Sequence, residues 1–161
     1  MRCVLMRNSG MRVPGLLRFV VLSIVLVFSI SACAEDSVTT SAAYGERLRS
    51  AEKLYPFEEW KTYYPGLDQY TVENCDAAAN IFDTLLAELA AAGPYATETA
   101  KLEHFRRAVL DLNKLNYETF LIETWEREQL AALIDEITRL VGLEPKDYAR
   151  GAGIADLWRE W

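Results

Sequence analysis

The chain contains few of the side chains that most protein catalysis and metal binding require. Among its 161 residues there are one histidine, His104, and three cysteines. Ser/His and Cys/His catalysis need a base beside a nucleophile, and a structural zinc site needs four nitrogen or sulfur ligands. No glycine-rich phosphate-binding motif is present either. We therefore expect a protein that is not an enzyme and that holds neither a metal nor another cofactor.

Cysteine is also too scarce to form a framework of disulfides. Cys3 belongs to the N-terminal leader, Cys33 follows that leader directly, and only Cys75 lies in the remaining chain. An exported domain without internal disulfides depends on its hydrophobic core for stability. Because Cys75 shares the apolar side of a predicted helix, we expect it to be a small core residue.

Basic residues are absent from the middle of the chain, since residues 62–100 contain neither lysine nor arginine. Glu73, Asp76 and Asp83 lie on one side of a predicted helix in this stretch. Such an acidic face is usually only a solvated surface, but it also suits a cationic partner that would relieve the repulsion. We therefore regard these three residues as candidates for partner binding. Calcium is not expected, because a helix offers no loop carbonyl groups.

The first 32 residues are typical of a secretory signal peptide. Four arginines precede an apolar run at residues 19–30, which only two serines interrupt. This run is shorter than the roughly 20 residues that a membrane-spanning helix needs. Without residues 1–32 the chain has thirteen basic and twenty-four acidic residues, a net charge of −11. An acidic surface of this kind argues against binding to nucleic acid or to anionic lipid headgroups.

The leader ends in Ile30-Ser31-Ala32-Cys33. This tetrapeptide resembles the lipobox of bacterial lipoproteins, in which cleavage leaves a diacylated cysteine as the new N-terminus. The resemblance implies that Cys33 carries the lipid that holds the chain at the membrane. Because Ala34 and not aspartate follows, it also implies the outer membrane, with the protein facing the periplasm. The alternatives are plain secretion with cleavage after Ala34, and translation from Met11.

After the signal peptide at residues 1–32, we predict a lipidated tether at residues 33–43 and a helical domain at residues 44–161. The strongest pattern in the domain is a helical hairpin at residues 98–141, whose arms each carry apolar residues at three- and four-residue steps. Thr97 and Thr124 are expected to cap its arms, and His104 and Asp135 to face water. Neither arm can bury its apolar stripe alone. The predicted fold is therefore all-α, a small bundle of four to five helices around this antiparallel hairpin.

Three further helices are expected to cover the hairpin. One begins near Tyr44, a second follows Pro56, and a third spans residues 72–92 with Thr71 as its N-cap and a stop at Gly93. Five aromatic residues lie within residues 55–64, which we call the aromatic segment. It could wedge the second helix against the core or offer aromatic rings to a partner.

Polar side chains are expected to meet at the tip of the hairpin. Antiparallel packing places Asn113 and Asn116 beside Glu126 at the start of the second arm. These residues could form a recognition site, with Asn116 and Glu126 as candidate partner-binding residues. The structural alternative is that asparagine ends the first helix in a left-handed conformation and that Glu126 complements the dipole of the second helix.

A second, weaker resemblance covers about a third of the chain. The segments at residues 112–116, 122–128, 142–143 and 158–161 resemble a pattern found in small uncharacterised bacterial proteins. This resemblance implies a shared helical fold and no catalytic activity.

These features favour a lipid-anchored envelope protein that acts by binding, as an immunity or inhibitor protein for a basic partner. One alternative is an accessory lipoprotein for envelope assembly that uses the aromatic segment as its contact surface. A second alternative is a carboxylate-dependent enzyme acting on peptidoglycan, because paired carboxylates can cleave glycosides. The Glu-Ser dipeptide that the catalytic motif of lytic transglycosylases would show is absent.

Overall fold

Helices make up the regular structure of residues 40–63 and 66–161, which are the residues that this computed structural model describes, and no β-strand occurs among them. The first helix among these residues, α1, includes residues 40–49. The other α-helices are α2 (Phe57–Tyr63), α3 (Val72–Ala92), α4 (Glu98–Thr119) and α5 (Thr124–Leu140). Short 3-10 helices lie at Ser50–Leu54, Asp68–Tyr70, Pro145–Asp147, Ala149–Gly151 and Ile154–Leu157. The prediction of a small all-α bundle is therefore confirmed.

Part of the predicted tether belongs to α1, because residues 40–43 are already helical. The predicted signal peptide, Cys33 and the rest of the tether lie outside the described residues. Lipid attachment at Cys33 therefore stays a prediction.

Among the described helices, α3 and α4 pack against each other most extensively. Helix α2 lies on α3, and the 3-10 helix Ser50–Leu54 contacts α5. The last 3-10 helix, Ile154–Leu157, contacts both α4 and α5. Helix α4 thus packs mainly on α3, and α4 and α5 both contact the last 3-10 helix.

The two arms of the hairpin run antiparallel and are joined at their open ends by a buried lysine. Lys101, in the first turns of α4, is 7% exposed. Its ammonium group donates a hydrogen bond of 2.9 Å to the carbonyl oxygen of Val141, just after α5, and one of 3.4 Å to that of Pro94. A cation suits this position, because the C-terminal carbonyl groups of a helix carry partial negative charge.

Two of the three predicted N-caps follow the sequence signals. The Thr71 and Thr97 side chains accept hydrogen bonds from the backbone N–H groups of Asn74 and Ala100, as predicted. The prediction that Thr124 caps α5 is wrong, because the N-cap is Glu123. Glutamate is an unusual N-cap, but Glu123 and Glu126 form a reciprocal capping box.

Helix α5 ends as the glycine at position 142 predicts. Gly142 has φ 80°, a conformation that costs glycine little. The N–H groups of Gly142 and Leu143 donate to the carbonyl oxygens of Arg139 and Thr138, at 3.0 Å each. This pair of bonds is a Schellman motif, and Leu143 folds back onto the core as expected.

The predicted apolar stripes form the core. Phe105, Val109 and Leu112 of α4 are fully buried, as are Leu130 and Ile137 of α5. Two expected solvent faces are wrong, however. His104 packs toward Glu88 with only 18% of its side chain exposed, because α3 covers that flank of α4. Asp135 is half-buried, because the C-terminal segment brings Gly153 against its carboxylate.

Candidate binding surfaces

Side chains of α2 and of the residues that precede α2 contact the acidic side of α3 and partly neutralise it. Lys61 lies 2.6 Å from both Asp76 and Glu58, with only 14% of its side chain exposed. These two hydrogen bonds, that of Asp76 first, raise the pKa of Lys61 above its ordinary value. The fold thus places a cation on a face that the sequence shows without one.

A tyrosine engages another of the predicted acidic residues. The Tyr55 hydroxyl donates a hydrogen bond of 3.1 Å to Asp83. Burial raises the pKa of Tyr55, and the charge and hydrogen bond of Asp83 raise it further. Glu73 is exposed near the start of α3. Of the three acidic candidates, Asp76 and Asp83 therefore already serve contacts between α3 and neighbouring segments.

The polar residues at the hairpin tip are occupied by the backbone of the connection. The Asn116 side chain accepts a hydrogen bond of 2.7 Å from the N–H of Ile122. Glu126 is 1% exposed and accepts one of 3.2 Å from the N–H of Glu123. These bonds give Asn116 and Glu126 a structural role in positioning α5.

The first arm also extends further than the sequence indicates. Asn116 does not end α4 in a left-handed conformation, because α4 continues to Thr119 and the left-handed residue is Phe120. The connection therefore has four residues, 120–123. Asn113 turns away from the tip, donating to the carbonyl oxygen of Trp158 and accepting from the N–H of Glu160.

The side chains most often used as nucleophile and base occupy structural positions. Cys75 is completely buried, and burial raises the pKa of its thiol to about 11. His104 Nδ1 lies 3.0 Å from a Glu88 carboxylate oxygen and 2.7 Å from the Arg107 guanidinium. Arg107 also pairs with Glu88 at 2.9 Å. The three residues tie α3 to α4, and neither Cys75 nor a described serine is bonded to His104.

An open groove runs between α5 and the segment that contains the Ser50–Leu54 helix and the start of α2. We call it the α2–α5 groove. Its volume is about 740 Å³, within the usual range for ligand sites of about 300–1,000 Å³. The residues that line it are Lys53, Leu54, Tyr55, Pro56, Glu59, Gln129, Ala132, Leu133, Glu136 and Arg139.

A smaller cleft continues the groove toward the hairpin tip. It has a volume of about 280 Å³ and is lined by Glu59, Trp60, Tyr63 and Trp125. Because Glu59 lines both spaces, the α2–α5 groove and this aromatic cleft share a wall. From Trp125 to Arg139 the α5 side of this surface spans about 21 Å, at 1.5 Å per helical residue.

The aromatic segment divides into a buried and an exposed part. Phe57 and Trp60 are 2% and 1% exposed and pack edge to face, with ring centroids 5.1 Å apart. The Trp60 indole donates a hydrogen bond of 2.6 Å to Gln129 of α5. Tyr63 is 68% exposed, however, and Trp125 across the cleft is 60% exposed. The segment therefore wedges α2 into the core and also presents the Tyr63 ring to solvent.

The sequence contains only part of the signal for this surface. The aromatic segment stands out by composition. Glu59, Gln129 and Ala132, by contrast, belong to no motif that would single them out in the sequence. Their common location depends on α2 lying beside α5 with nothing in the described chain covering the space between them. That arrangement depends on tertiary packing, so no local sequence pattern predicts it.

Within residues 40–63 and 66–161, no group of three or more metal-ligating side chains is brought together. No helix in the same residues is long and apolar enough to span a bilayer. No protein-family model, curated protein or solved structure matches the chain.

Proposed function

We propose that this chain is an exported lipoprotein of the cell envelope that binds a basic partner protein through the α2–α5 groove. Residues 30–33 support export and lipid attachment, and the excess of acidic residues supports a basic partner. The observation that carries the binding role is the groove itself, with exposed aromatic rings and an exposed carboxylate at one end.

The groove leaves more side-chain surface open to a partner than the acidic side of α3 or the hairpin tip. Asp76 and Asp83 are bonded to Lys61 and Tyr55, so a partner at α3 would have to compete with these contacts. Asn116 and Glu126 bind the backbone of the hairpin connection. Along the groove, by contrast, Leu54 and Ala132 are exposed and leave apolar surface open to a partner.

Binding through the groove suits two kinds of partner. In the immunity or inhibitor hypothesis the partner is a basic toxin or enzyme that acts in the envelope. In the accessory hypothesis it is a component of envelope assembly, and the aromatic segment is the contact surface. The position of Tyr63 beside the groove favours a contact role for that segment in either case. A toxin gene next to this gene would support the first hypothesis, and envelope-assembly genes would support the second.

Site-specific photo-crosslinking in cells tests the binding role. A photoreactive amino acid at Leu54, which is 54% exposed in the groove, should give a crosslink to one discrete protein. The matched control is the same amino acid at Leu110, an exposed leucine of α4 outside the groove. Equal crosslinking from both positions, or none from Leu54, would contradict the proposal.

Membrane fractionation tests the anchor. A diacyl anchor contributes about 0.8 kcal/mol per buried CH₂ group, so Cys33→Ala should release the protein into the soluble fraction. The mature wild-type protein should begin at Cys33. Unchanged membrane association of the variant, or a mature N-terminus at Glu35, would show that the lipoprotein hypothesis is wrong.

A further inference from the structure

Aromatic rings and one carboxylate line the aromatic cleft. Three of its four lining residues are aromatic, and the fourth, Glu59, is acidic. Glu59, Trp60 and Tyr63 come from α2, whereas Trp125 comes from the second residue of α5. Two helices therefore contribute rings to one small space.

The three rings differ in exposure. Trp60 is buried, and its hydrogen bond to Gln129 fixes the indole as one wall. Tyr63 and Trp125 are more than half exposed, so most of their surface stays in contact with water. Exposed aromatic rings beside a fixed wall leave ring surface available to an incoming group.

The carboxylate in the cleft has no partner within the described chain. No described residue forms a hydrogen bond or an ion pair with the Glu59 side chain, although Glu58 beside it pairs with Lys61. Lys61 is held by Glu58 and Asp76 and does not line the cleft. Among the described residues, the negative charge of Glu59 is therefore unpaired.

Two other aromatic rings in this protein form cation–π contacts with arginines of the same chain. The Arg47 guanidinium lies 5.3 Å from the centroid of the Tyr44 ring, and that of Arg159 lies 5.4 Å from the centroid of Trp161. Within residues 40–63 and 66–161, no arginine or lysine covers Tyr63 or Trp125 in this way. The cleft offers the same kind of ring surface, and no described residue places a cation on it.

From this arrangement we infer that the aromatic cleft binds an alkylammonium group, presented as a lysine side chain by the partner protein. The ring faces attract the ammonium charge and cover the methylene groups, and Glu59 accepts hydrogen bonds from the ammonium. The inference rests on the proposed function, because the backbone of the partner would continue into the α2–α5 groove.

Alternative occupants fit the cleft less well. A purely apolar side chain would cover the Glu59 carboxylate without pairing it, which is unfavourable. A quaternary ammonium group has no N–H to donate to Glu59. The volume of about 280 Å³ lies just below the range for small-molecule sites, which begins at about 300 Å³, so the cleft suits one side chain more than a whole ligand.

Nuclear magnetic resonance of the tryptophan indoles tests this inference on the full chain in nonionic detergent. The chain has four tryptophans, and the probe is the peptide acetyl-Gly-Lys-Gly-amide. Titration in the millimolar range should shift the indole signals of Trp125 and Trp60 and leave Trp158 and Trp161 unchanged. The same peptide with norleucine, which lacks the ammonium group, should produce no such shift.

Two variants with matched controls assign the effect to the cleft. Glu59→Gln and Trp125→Ala should each weaken binding of the lysine peptide about two- to fivefold, the effect expected of one exposed ion pair or cation–π contact. Glu58→Gln, next to Glu59 but outside the cleft, and Tyr95→Ala, at another exposed ring, should leave binding unchanged.

Several outcomes would overturn the assignment. Equal binding of the norleucine peptide would remove the role of charge, and choline binding at least as tight as the lysine peptide would assign the cleft to a quaternary ammonium headgroup. An absence of shifts would reject a cation site altogether. Lysine binding without a crosslink from Leu54 would reject the groove function alone, whereas a crosslink without lysine binding would reject only the cleft.

Discussion

The hydrogen bond from Trp60 to Gln129 should hold α2 against α5 and so determine the shape of the binding surface. An indole N–H can only donate, so the atom of Gln129 that faces it is the side-chain oxygen. The N···O distance is 2.6 Å, and Trp60 is 1% exposed. Replacing Gln129 with leucine removes the acceptor and leaves the buried N–H without a partner.

The expected loss of stability follows from that unsatisfied donor. Leaving a buried N–H group unpaired costs about 1–3 kcal/mol. Because urea m-values of small proteins are about 1–3 kcal/mol/M, Gln129→Leu should lower the urea midpoint by roughly 1 M. Trp60→Phe removes the donor, and its cost comes from the space that the smaller ring leaves. The double variant should therefore lose less than the sum of the two single losses.

A double-mutant cycle measured by urea unfolding and circular dichroism isolates this interaction. We expect a coupling energy of about 1–2 kcal/mol between the two positions. Gln129→Glu keeps an acceptor for the indole and should recover much of the loss, whereas Glu128→Leu, an exposed neighbour on α5, is the control. Additive losses, or a fully stable Gln129→Leu, would refute the view that this bond fixes α2 to α5.

Three further predictions concern the core. Lys101→Met should lose about 1.5–3 kcal/mol, the usual value of hydrogen bonds to a charged group, seen as a lower melting temperature than in the exposed control Lys114→Met; equal melting would contradict the role of Lys101. Burial raises the pKa of Asp135; the charge of Arg139 opposes this rise and the charge of Asp156 adds to it. The free energy of unfolding therefore falls as pH rises through that raised pKa. Asp135→Asn should therefore stabilise the fold at pH 7, with a gain that disappears below about pH 3.9; a gain independent of pH would refute this assignment. Because burial raises the pKa of Cys75 to about 11, its thiol should resist a maleimide at pH 8 until urea unfolds the domain, and rapid labelling of the native protein would show that it is accessible.

Local signals in the sequence account for most of the helices. The bounds of α3 follow from its apolar period, the Thr71 cap and Gly93, all of which act within a few residues. Gly142 ends α5 for the same reason. Thr124 is not the N-cap, because Glu123, one residue earlier, forms a reciprocal capping box with Glu126. Glutamate is not among the preferred N-cap residues, so the sequence does not predict this cap.

Contacts between distant segments explain what the sequence does not show. The apolar periodicity of a helix predicts that lysine faces solvent. Lys101 is buried instead, because carbonyl groups from two other segments accept its hydrogen bonds. The acidic side of α3 looks unbalanced until the fold brings Lys61 to it. His104 is covered because α3 lies along a flank that a hairpin alone would expose.

The candidate site shows the same division between local and tertiary information. The aromatic segment and Trp125 can be singled out by residue type, and the acidic excess by counting charges. Their placement around the groove and the cleft, which share Glu59, requires α2 to lie near α5. The sequence therefore identifies several residues of the site, but not where they come together.

Affinity for the crosslinked partner, measured with two matched arginine variants, tests the binding role most directly. Ala132→Arg places a long cation in the α2–α5 groove, whereas Ala91→Arg makes the same exchange at an exposed position of α3 outside it. We expect Ala132→Arg to weaken binding at least about tenfold, or about 1.4 kcal/mol, and Ala91→Arg to leave it nearly unchanged. Binding should also weaken with salt for both the wild type and Ala91→Arg. Equal affinities of the two variants, or binding that salt does not affect, would contradict a basic partner in the groove.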